Sequence, residues 1–597
     1  MFDRNVRRPI PGPGIPSPSR EGFLYLRSPL LASVLGLVLA MLSLSVQARE
    51  DVKPGAAGIA SANALATEAG FETLARGGNA VDAAIAVATS LSVVQPEASG
   101  MGGGFLALIH DAATGKNTFI DAREMAPQAV RESDYLKADG TPNRDTSLNG
   151  PLAAGIPGFP AGLAYMADKY GKLPLAESLR PAIRLADEGF HPTASLVRSI
   201  ERKADVLRRY PASSAKFMPG GKLPQTAGLF GDPDQARTLK ALAEKGADGF
   251  YQGAVAREMV RAVRAAGGTW TLDDLAAYEA RERTPIELSY GGYTVITAPP
   301  PSSGGVAIAE MLNILAPIDL ERLGEADRVH YLIEAMRRAF RDHNEYLGDP
   351  DFVDMPMDML LSRHYADGLR QSILRDRATK SEWLPAAHAP EPGMHTTHYS
   401  IIDMDGNMVS MTATVNTTLG SGFVAGKSGI LLNNEMDDFA LVSGQPNAFG
   451  LIGGSANAPV GGKRMLSSMS PSFVVGKDRL AVIGSPGGST IITQVFEGIL
   501  AFIDGKSAGE ITAQKRIHHQ YLPDRVDYEP GSLSEAVMAK LKTMGHELHE
   551  RSPWGNMNVV TWDKAATRMS AASDPRSSAG LGKVERAGER STRQATP

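Results

Sequence analysis

The chain contains no cysteine, which excludes several kinds of chemistry at once. With no cysteine among 597 residues, disulfide bonds, thiol nucleophiles and cysteine-based metal sites are ruled out. The twelve histidines show no metal-site spacing, since the adjacent pair His518-His519 suits neither a helix face nor a chelating turn. We therefore predict no metal and no other cofactor. The formal net charge of -5 gives the chain no electrostatic reason to bind nucleic acid.

Long apolar runs are also scarce, and the one long run lies near the N-terminus. Leu30 to Leu42 follows basic residues up to Arg27, and small residues then end in Val46-Gln47-Ala48. This order is typical of a signal peptide cleaved after Ala48. We expect residues 1–48 to be removed and the protein to be periplasmic or secreted. The alternative is an uncleaved membrane anchor, because the run nearly reaches the ~20 residues that span a bilayer.

The remaining composition is that of a globular protein, with 43% hydrophobic and 21% charged residues. Helical patterns alternate with short strands and Gly/Pro turns, which indicates an α+β layered body. The segment from Val81 to Val94 is apolar nearly all round, so we expect a helix buried between layers. The tail 577–597 is polar and rich in Gly, Arg and Ser, and is predicted to be disordered.

A Thr-Thr pair, Thr396-Thr397, lies where a Pro- and Ala-rich connector ends and an alternating apolar run begins. A hydroxyl residue at such a junction suits an enzyme that cuts its own backbone. The freed threonine would then carry both nucleophile and base. Ser and Thr also open strands for purely structural reasons, so the pair alone decides nothing.

Several motifs around this pair occur together and in a fixed order. After it come Leu431 to Phe439 (LLNNEMDDF), Leu466 to Pro471 (LSSMSP) and Gly484 to Ser489 (GSPGGS); before it come Gly77 to Ala84 (GGNAVDAA), Asp121 to Pro127 (DAREMAP) and Pro299 to Gly305 (PPPSSGG). With Thr396 to Ser400, this set closely resembles γ-glutamyltransferase (γ-glutamyl transpeptidase). The resemblance runs from about Gly55 to Arg576.

The resemblance implies an N-terminal-nucleophile hydrolase with a four-layer αββα sandwich. Such a protein is made as a precursor that cleaves itself, here between His395 and Thr396. The products would be a large subunit, 49–395, and a small subunit, 396–597, which remain together as a heterodimer. In this reaction the Thr396 hydroxyl attacks the preceding carbonyl, and water then opens the resulting ester. The new α-amine, with an ordinary pKa of ~8, would serve as general base.

The same resemblance assigns residues to the head group of an amino-acid substrate. Arg123 is expected to bind the α-carboxylate, because its planar fork can hold two oxygens. Ser467 and Ser468 would add hydroxyl donors to that carboxylate. Glu435 and Asp438, three residues apart, would face the ammonium group.

Further residues are expected around the reacting bond. Thr414 would hold the nucleophile, and Asn416 would contact the substrate head group. Gly487 and Gly488 stand between an apolar strand and a helix, where two backbone N–H groups form an oxyanion hole. Phe449 takes the place in the lid loop where bacterial members commonly carry an aromatic hydroxyl. We predict an apolar or looser gate, with altered acceptor access or balance of hydrolysis and transfer.

These expectations describe an enzyme acting on glutathione and related γ-glutamyl compounds. It would pass the γ-glutamyl group to water or to an amino-acid or dipeptide acceptor. A related cephalosporin (glutaryl) acylase is one alternative, but its substrate lacks the α-amine that Glu435 and Asp438 would bind. An uncleaved, non-catalytic relative is another, and the presence of Thr396, Arg123 and the glycine pair opposes it.

Overall fold

The structure, a computed structural model, describes residues 53–384, 396–441, 446–451 and 453–587. The predicted signal peptide and His395 lie outside the described residues. Among those that are described, no helix is both long and apolar enough to cross a bilayer.

The strands alternate with Gly-rich turns, as the sequence predicts. In chain order they are β1 (Ala56–Ser61), β2 (Gly104–Asp111), β3 (Lys116–Ala122), β4 (Arg281–Arg283), β5 (Ile286–Tyr290), β6 (Tyr293–Thr297), β7 (Thr397–Ile402), β8 (Met408–Thr414), β9 (Ser472–Val475), β10 (Arg479–Gly484), β11 (Ile517–His518), β12 (Val526–Tyr528), β13 (Leu548–Glu550), β14 (Asn558–Asp563), β15 (Arg568–Ser573) and β16 (Leu581–Arg586).

The helices are concentrated before β7. They are α1 (Ala64–Ala75), α2 (Ala80–Val94), α3 (Arg144–Leu148), α4 (Phe159–Tyr170), α5 (Leu175–Glu188), α6 (Ala194–Arg208), α7 (Pro211–Phe217), α8 (Pro233–Lys245), α9 (Asp248–Tyr251), α10 (Gly253–Ala265), α11 (Leu272–Ala276), α12 (Gly304–Leu315), α13 (Glu325–Tyr346), α14 (Met357–Leu360), α15 (Arg363–Gln371), α16 (Thr490–Ile503), α17 (Ala508–Ala513) and α18 (Glu535–Thr543).

Two antiparallel sheets form the centre of the fold. The seven-stranded sheet has the order β16-β1-β7-β8-β2-β3-β4, and the six-stranded sheet has the order β15-β14-β10-β9-β6-β5. Both sheets combine strands from before and after Thr396. The two pieces expected from cleavage therefore interleave within one body and do not form separate domains.

Helices cover the outer faces of both sheets, which completes the αββα sandwich. On the seven-stranded sheet, α2 contacts β7 and β8, while α4 contacts β2 and β3. On the six-stranded sheet, α16 contacts β10, and α12 packs against α16. Every residue of α2 is buried, as its all-round apolar pattern predicts. The four-layer α+β fold expected from the sequence is confirmed.

The prediction of a disordered tail is wrong for residues 577–587. Leu581–Arg586 forms the edge strand β16 and pairs antiparallel with β1, Leu581 opposite Ser61 and Arg586 opposite Ala56. Backbone hydrogen bonds to an existing sheet edge stabilise this polar segment, whose side chains bury little apolar surface. Residues 588–597 lie outside the described part of the chain.

Candidate active site

The alternation of β7 and β8 places Thr396 next to Thr414. Thr397 pairs with Ala413 across the two strands, so the residues on either side of that pair share the opposite face. The Thr396 and Thr414 hydroxyl oxygens lie 3.4 Å apart, and Thr396 is 9% exposed. Thr397 faces away, and its hydroxyl donates to Gln95 Oε1 at 3.0 Å. The strand period alone therefore separates the two threonines.

Asn416 follows β8 in a left-handed conformation, with φ of 74°. Its backbone N–H donates to the Thr414 hydroxyl at 2.7 Å, and its side-chain amide donates to the Asn434 carbonyl at 3.0 Å. Asparagine tolerates this conformation better than most residues. The turn fixes the Thr414 hydroxyl beside Thr396.

Arg123 is the centre of a buried charge cluster. Its guanidinium contacts Glu435 at 2.7 Å, Asp438 at 2.5 Å and Glu124 at 3.4 Å. It also donates to the backbone carbonyls of Met465 at 3.2 Å and Leu466 at 3.0 Å. Arg123 therefore lies in a buried network with three acids. Two of them, Glu435 and Asp438, were predicted to face the substrate's ammonium group, and in this structure they contact the Arg123 guanidinium.

The cluster holds more carboxyl groups than it holds cations. Burial raises the pKa of Glu435 to about 7, although Arg123 opposes the rise. Burial likewise raises the pKa of Glu124 to about 7. Burial and the neighbouring Glu435 raise the pKa of Asp438 well above its ordinary value. Burial alone would lower the pKa of Arg123, but the surrounding carboxylates outweigh it and keep the guanidinium charged. A further positive charge bound at this site would therefore stabilise the ionised carboxylates.

Two buried carboxylate oxygens of this cluster, Glu124 Oε1 and Glu435 Oε1, accept no hydrogen bond from any described residue. Buried carboxylate oxygens rarely remain unpaired. Of the two residues, only Glu435 lines the cavity described below. A donor that enters this cavity can therefore satisfy the Oε1 atom of Glu435.

Backbone contacts with the segment Pro299–Gly305 hold Ser467 in place. Its N–H donates to the Pro301 carbonyl at 2.9 Å, and its own carbonyl accepts from the Ser303 N–H at 2.7 Å. The Ser303 hydroxyl donates to the same carbonyl at 2.9 Å. Ser467 and Ser468 both line the cavity. The segment Pro299–Gly305 therefore fixes the position of the serine motif Leu466–Pro471.

The glycine pair lies between β10 and α16 in a conformation that other residues rarely adopt. The φ angles of Gly487 and Gly488 are 141° and 58°, a region that favours glycine. Their carbonyls accept the N–H groups of Thr490 and Ile491 at 3.2 and 3.1 Å, which begins the helix. The pair thus stands at a helix N-terminus, where backbone N–H groups attract negative charge.

The segment 446–451, which was expected to form a lid, packs directly against Gly488. A Cβ atom placed on Gly488 would lie 2.3 Å from Cδ1 of the Phe449 ring, and Phe449 is 4% exposed. Asn447 Oδ1 accepts the Phe449 N–H at 2.9 Å, and the Asp437 carboxylate accepts the Ala448 N–H at 2.7 Å. The Phe449 ring is therefore buried and closely packed against Gly488, while its role as a gate stays a prediction.

Nearly all the site residues predicted from the sequence line one cavity of about 40 Å³. Its lining includes Thr396, Thr414, Asn416, Arg123, Glu435, Asp438, Ser467, Ser468, Gly488 and Phe449. Gly487 is next to the lining and does not form part of it. The cavity also contacts His343, which we did not predict. The only sequence signal for His343 was a polar residue on the buried face of the amphipathic helix α13.

Within the described residues, one group of side chains has the composition of a metal site. His330 and Glu334 are one helical turn apart, a spacing that the sequence reading overlooked, and His546 joins them from a distant segment. His330 Nδ1 already lies 2.8 Å from His546 Nε2. The Glu334 carboxylate contacts the Arg337 and Arg338 guanidinium groups. The charge of these neighbouring guanidinium groups therefore opposes a cation at this group.

Comparison with known proteins identifies the family. The family model described as gamma-glutamyltranspeptidase matches residues 66–583. The chain is 42% identical to the glutathione hydrolase proenzyme of Escherichia coli (strain K12), covering 87% of this chain and 90% of that protein. It is 40% identical to the glutathione hydrolase proenzyme of Pseudomonas sp. (strain A14), covering 92% and 98%.

Solved structures agree with the fold. The crystal structure of cephalosporin acylase from Bacillus halodurans superposes with a TM-score of 0.78 at 29% identity, covering 89% of this chain and 96% of that one. A family model that spans most of the chain and relatives that match nearly full length together establish the relationship. The protein belongs to the γ-glutamyltranspeptidase family of N-terminal-nucleophile hydrolases.

Proposed function

We propose that this protein is a self-processing glutathione hydrolase and γ-glutamyltransferase in which Thr396 is the nucleophile. The observation that carries the proposal is the buried, unpartnered Oε1 of Glu435 in the same cavity as Thr396 and Arg123. An ammonium group is the natural donor for this oxygen. The cavity therefore offers complementary charges to both ends of a zwitterionic head group.

Maturation requires cleavage between His395 and Thr396. The Thr396 hydroxyl attacks the His395 carbonyl carbon, the amide bond to the Thr396 nitrogen breaks, and an ester forms. Water then hydrolyses the ester, which leaves a free carboxylate on His395 and a free amine on Thr396. Because strands from both pieces share both sheets, the pieces remain associated as a heterodimer.

Catalysis then uses the same hydroxyl on the substrate. The free Thr396 amine accepts the hydroxyl proton, and the oxygen attacks the γ-carbonyl carbon. Backbone N–H groups at Gly487 and Gly488 stabilise the oxyanion. The amide bond to the leaving amine breaks, the amine takes the proton, and a γ-glutamyl ester of Thr396 remains. Water or an acceptor amine cleaves that ester.

The charges of the pocket favour a γ-glutamyl over a glutaryl substrate. Three carboxyl groups surround one guanidinium, so a substrate that brings only a carboxylate adds to an existing excess of negative charge. A zwitterionic head group adds no net charge, and its carboxylate can displace one of these acids from Arg123 while its ammonium pairs with Glu435 and Asp438. We therefore favour the transferase over the glutaryl acylase.

Residues 1–48 have the features of a signal peptide, so we propose that the enzyme is exported to the periplasm or secreted. The expected substrates are glutathione and related γ-glutamyl compounds, with amino acids or dipeptides as acceptors. Fractionation of cells that express the full chain tests the first part. Retention of residues 1–48 in the membrane fraction would instead support the anchor.

The test of the proposed function compares Thr396→Ala with Thr397→Ala. On a denaturing gel the parent and Thr397→Ala should appear as two pieces, and the small piece should begin at Thr396 by N-terminal sequencing. Thr396→Ala should remain one chain and release no nitroaniline from γ-glutamyl-p-nitroanilide. A parent that stays uncleaved, or that processes but releases no nitroaniline with or without a dipeptide acceptor, would reject the proposal.

A further inference from the structure

We propose that His343 binds the incoming nucleophile of the second half-reaction, a molecule with an N–H or O–H group such as an acceptor amine or water. The inference rests on the proposed function, because it concerns the step that removes the γ-glutamyl group from Thr396. Among the residues that line the cavity, His343 is the one histidine.

The position of the imidazole is fixed by its surroundings. His343 lies in the last turn of α13 and is 3% exposed. Its ring stacks on the Phe340 ring, with centroids 5.7 Å apart and planes at 26°. Helix packing and this stacking hold the ring in one orientation at the cavity wall.

The hydrogen-bond partner of Nδ1 determines the protonation of the ring. Nδ1 lies 3.0 Å from the Asn344 side-chain oxygen, and since a carboxamide oxygen only accepts, Nδ1 carries the proton. Burial lowers the pKa of His343 to about 4, so the ring is neutral near pH 7. Nε2 therefore presents a lone pair.

That lone pair has no partner in the described part of the chain, where Nε2 is buried without a hydrogen bond. Buried polar atoms are nearly always satisfied by protein, water or ligand. The other buried histidine against Phe340 is His518, and both of its ring nitrogens have partners, Thr493 and Gln520. His518 is thus fully paired, and His343, which packs against the same ring and also lines the cavity, is not.

The unpaired nitrogen selects a hydrogen-bond donor as its ligand. The head-group carboxylate has no proton to donate, and the head-group ammonium is already provided for by Glu435 and Asp438. The molecule that still needs a binding group is the second substrate. The cavity of about 40 Å³ has room for about three water molecules, and Thr396 and Gly488 border it as well. A small nucleophile inside it can therefore contact His343 while it faces the ester.

The step is balanced without any further reagent. The nucleophile's nitrogen or oxygen bonds to the ester carbonyl carbon, and the bond from that carbon to the Thr396 oxygen breaks. The proton of the nucleophile ends on the Thr396 oxygen by way of the Thr396 amine. His343 accepts a hydrogen bond from the nucleophile throughout and gains no proton.

The experiment separates the two half-reactions. Rapid mixing with γ-glutamyl-p-nitroanilide gives the rate of acylation from the first release of nitroaniline. Steady-state turnover with and without glycylglycine gives the rate of deacylation and the KM for the acceptor. The variants are His343→Leu and His343→Asn, which lack an acceptor at the Nε2 position, and His343→Gln, whose amide oxygen reaches it. His546→Leu is the matched control, a buried histidine outside the cavity whose Nδ1 is also unpaired within the described residues.

We expect His343→Leu and His343→Asn to keep the acylation rate within about twofold and to slow deacylation or raise the acceptor KM about tenfold, the value of roughly one hydrogen bond. His343→Gln should restore most of the loss, and His546→Leu should leave the ratio of the two half-reactions unchanged. If the processed variants change acylation and deacylation equally, or neither, His343 does not bind the nucleophile. If the parent itself releases no nitroaniline, the proposed function fails, and the inference fails with it.

Discussion

The substitution Glu435→Gln tests whether Glu435 binds the ammonium group of the substrate. Glu435 and Arg123 are both buried and 2.7 Å apart, and the second carboxylate oxygen of Glu435 faces no donor among the described residues. Glutamine keeps the size of the side chain but removes its charge. The ammonium of a γ-glutamyl donor then loses one charge-assisted hydrogen bond, whereas a glutaryl donor has no ammonium to lose.

The magnitude follows from the value of such a bond. A hydrogen bond to a charged group contributes about 1.5–3 kcal/mol, and about 1.4 kcal/mol corresponds to a factor of ten. We therefore expect kcat/KM for γ-glutamyl-p-nitroanilide to fall about 10- to 150-fold at pH 8. The value for glutaryl-p-nitroanilide should stay constant or rise, because the pocket has lost one of its excess negative charges.

The assay is the release of nitroaniline from both donors by fully processed protein. Glu124→Gln is the matched control, since Glu124 also contacts Arg123 but does not line the cavity. It should change both donors by similar factors. Equal losses for the two donors in Glu435→Gln would refute the reasoning, because Glu435 would then act only through Arg123 and not on the ammonium.

Three further predictions concern the gate, the oxyanion hole and pH. Phe449→Tyr should alter the ratio of hydrolysis to transfer by adding a hydroxyl at the gate, measured as nitroaniline release with and without glycylglycine; an unchanged ratio would contradict the role given to Phe449. Gly488→Ala should lower kcat by more than tenfold and destabilise the lid, because its left-handed φ costs about 1–2 kcal/mol and its Cβ would overlap the Phe449 ring; parental kcat and thermal stability would argue against this geometry. The KM for a γ-glutamyl donor should rise as the pH falls through about 7. The pKa of Glu435 is raised to about 7, so its negative charge is present above that pH and lost below it. A KM that is flat between pH 6 and 8 would exclude this carboxylate from ammonium binding.

Much of the fold followed from local patterns. The apolar segment Val81–Val94, predicted to be a buried helix, corresponds to α2 with one residue added. The alternation after Thr396 predicted β7. Such elements are determined by residues a few positions apart, so their periodicity is visible in the sequence.

The tail shows where local patterns fail. Residues 581–586 are polar and lack a strong strand pattern, yet they form β16 because the exposed edge of β1 provides hydrogen-bond partners. A segment that joins an edge needs few apolar side chains of its own, and the edge is only visible once the sheet exists.

For the active site too, some properties followed from the sequence and others only from the tertiary structure. By itself the sequence determined which residue types were available, the order of the motifs and the family to which they belong. The resemblance also assigned the role of nucleophile to Thr396 and not to Thr397. These inferences depend on the identity and order of the residues.

Only the tertiary structure decided which of these residues meet. Arg123 and Glu435 are 312 positions apart in the chain, and no periodicity indicates that two carboxylates would contact the guanidinium itself. The close contact of Phe449 with Gly488 and the unpaired nitrogen of His343 arise from the same long-range packing. Contacts of this kind depend on how sheets and helices pack as whole elements, and the sequence encodes that packing only through the sum of many weak interactions.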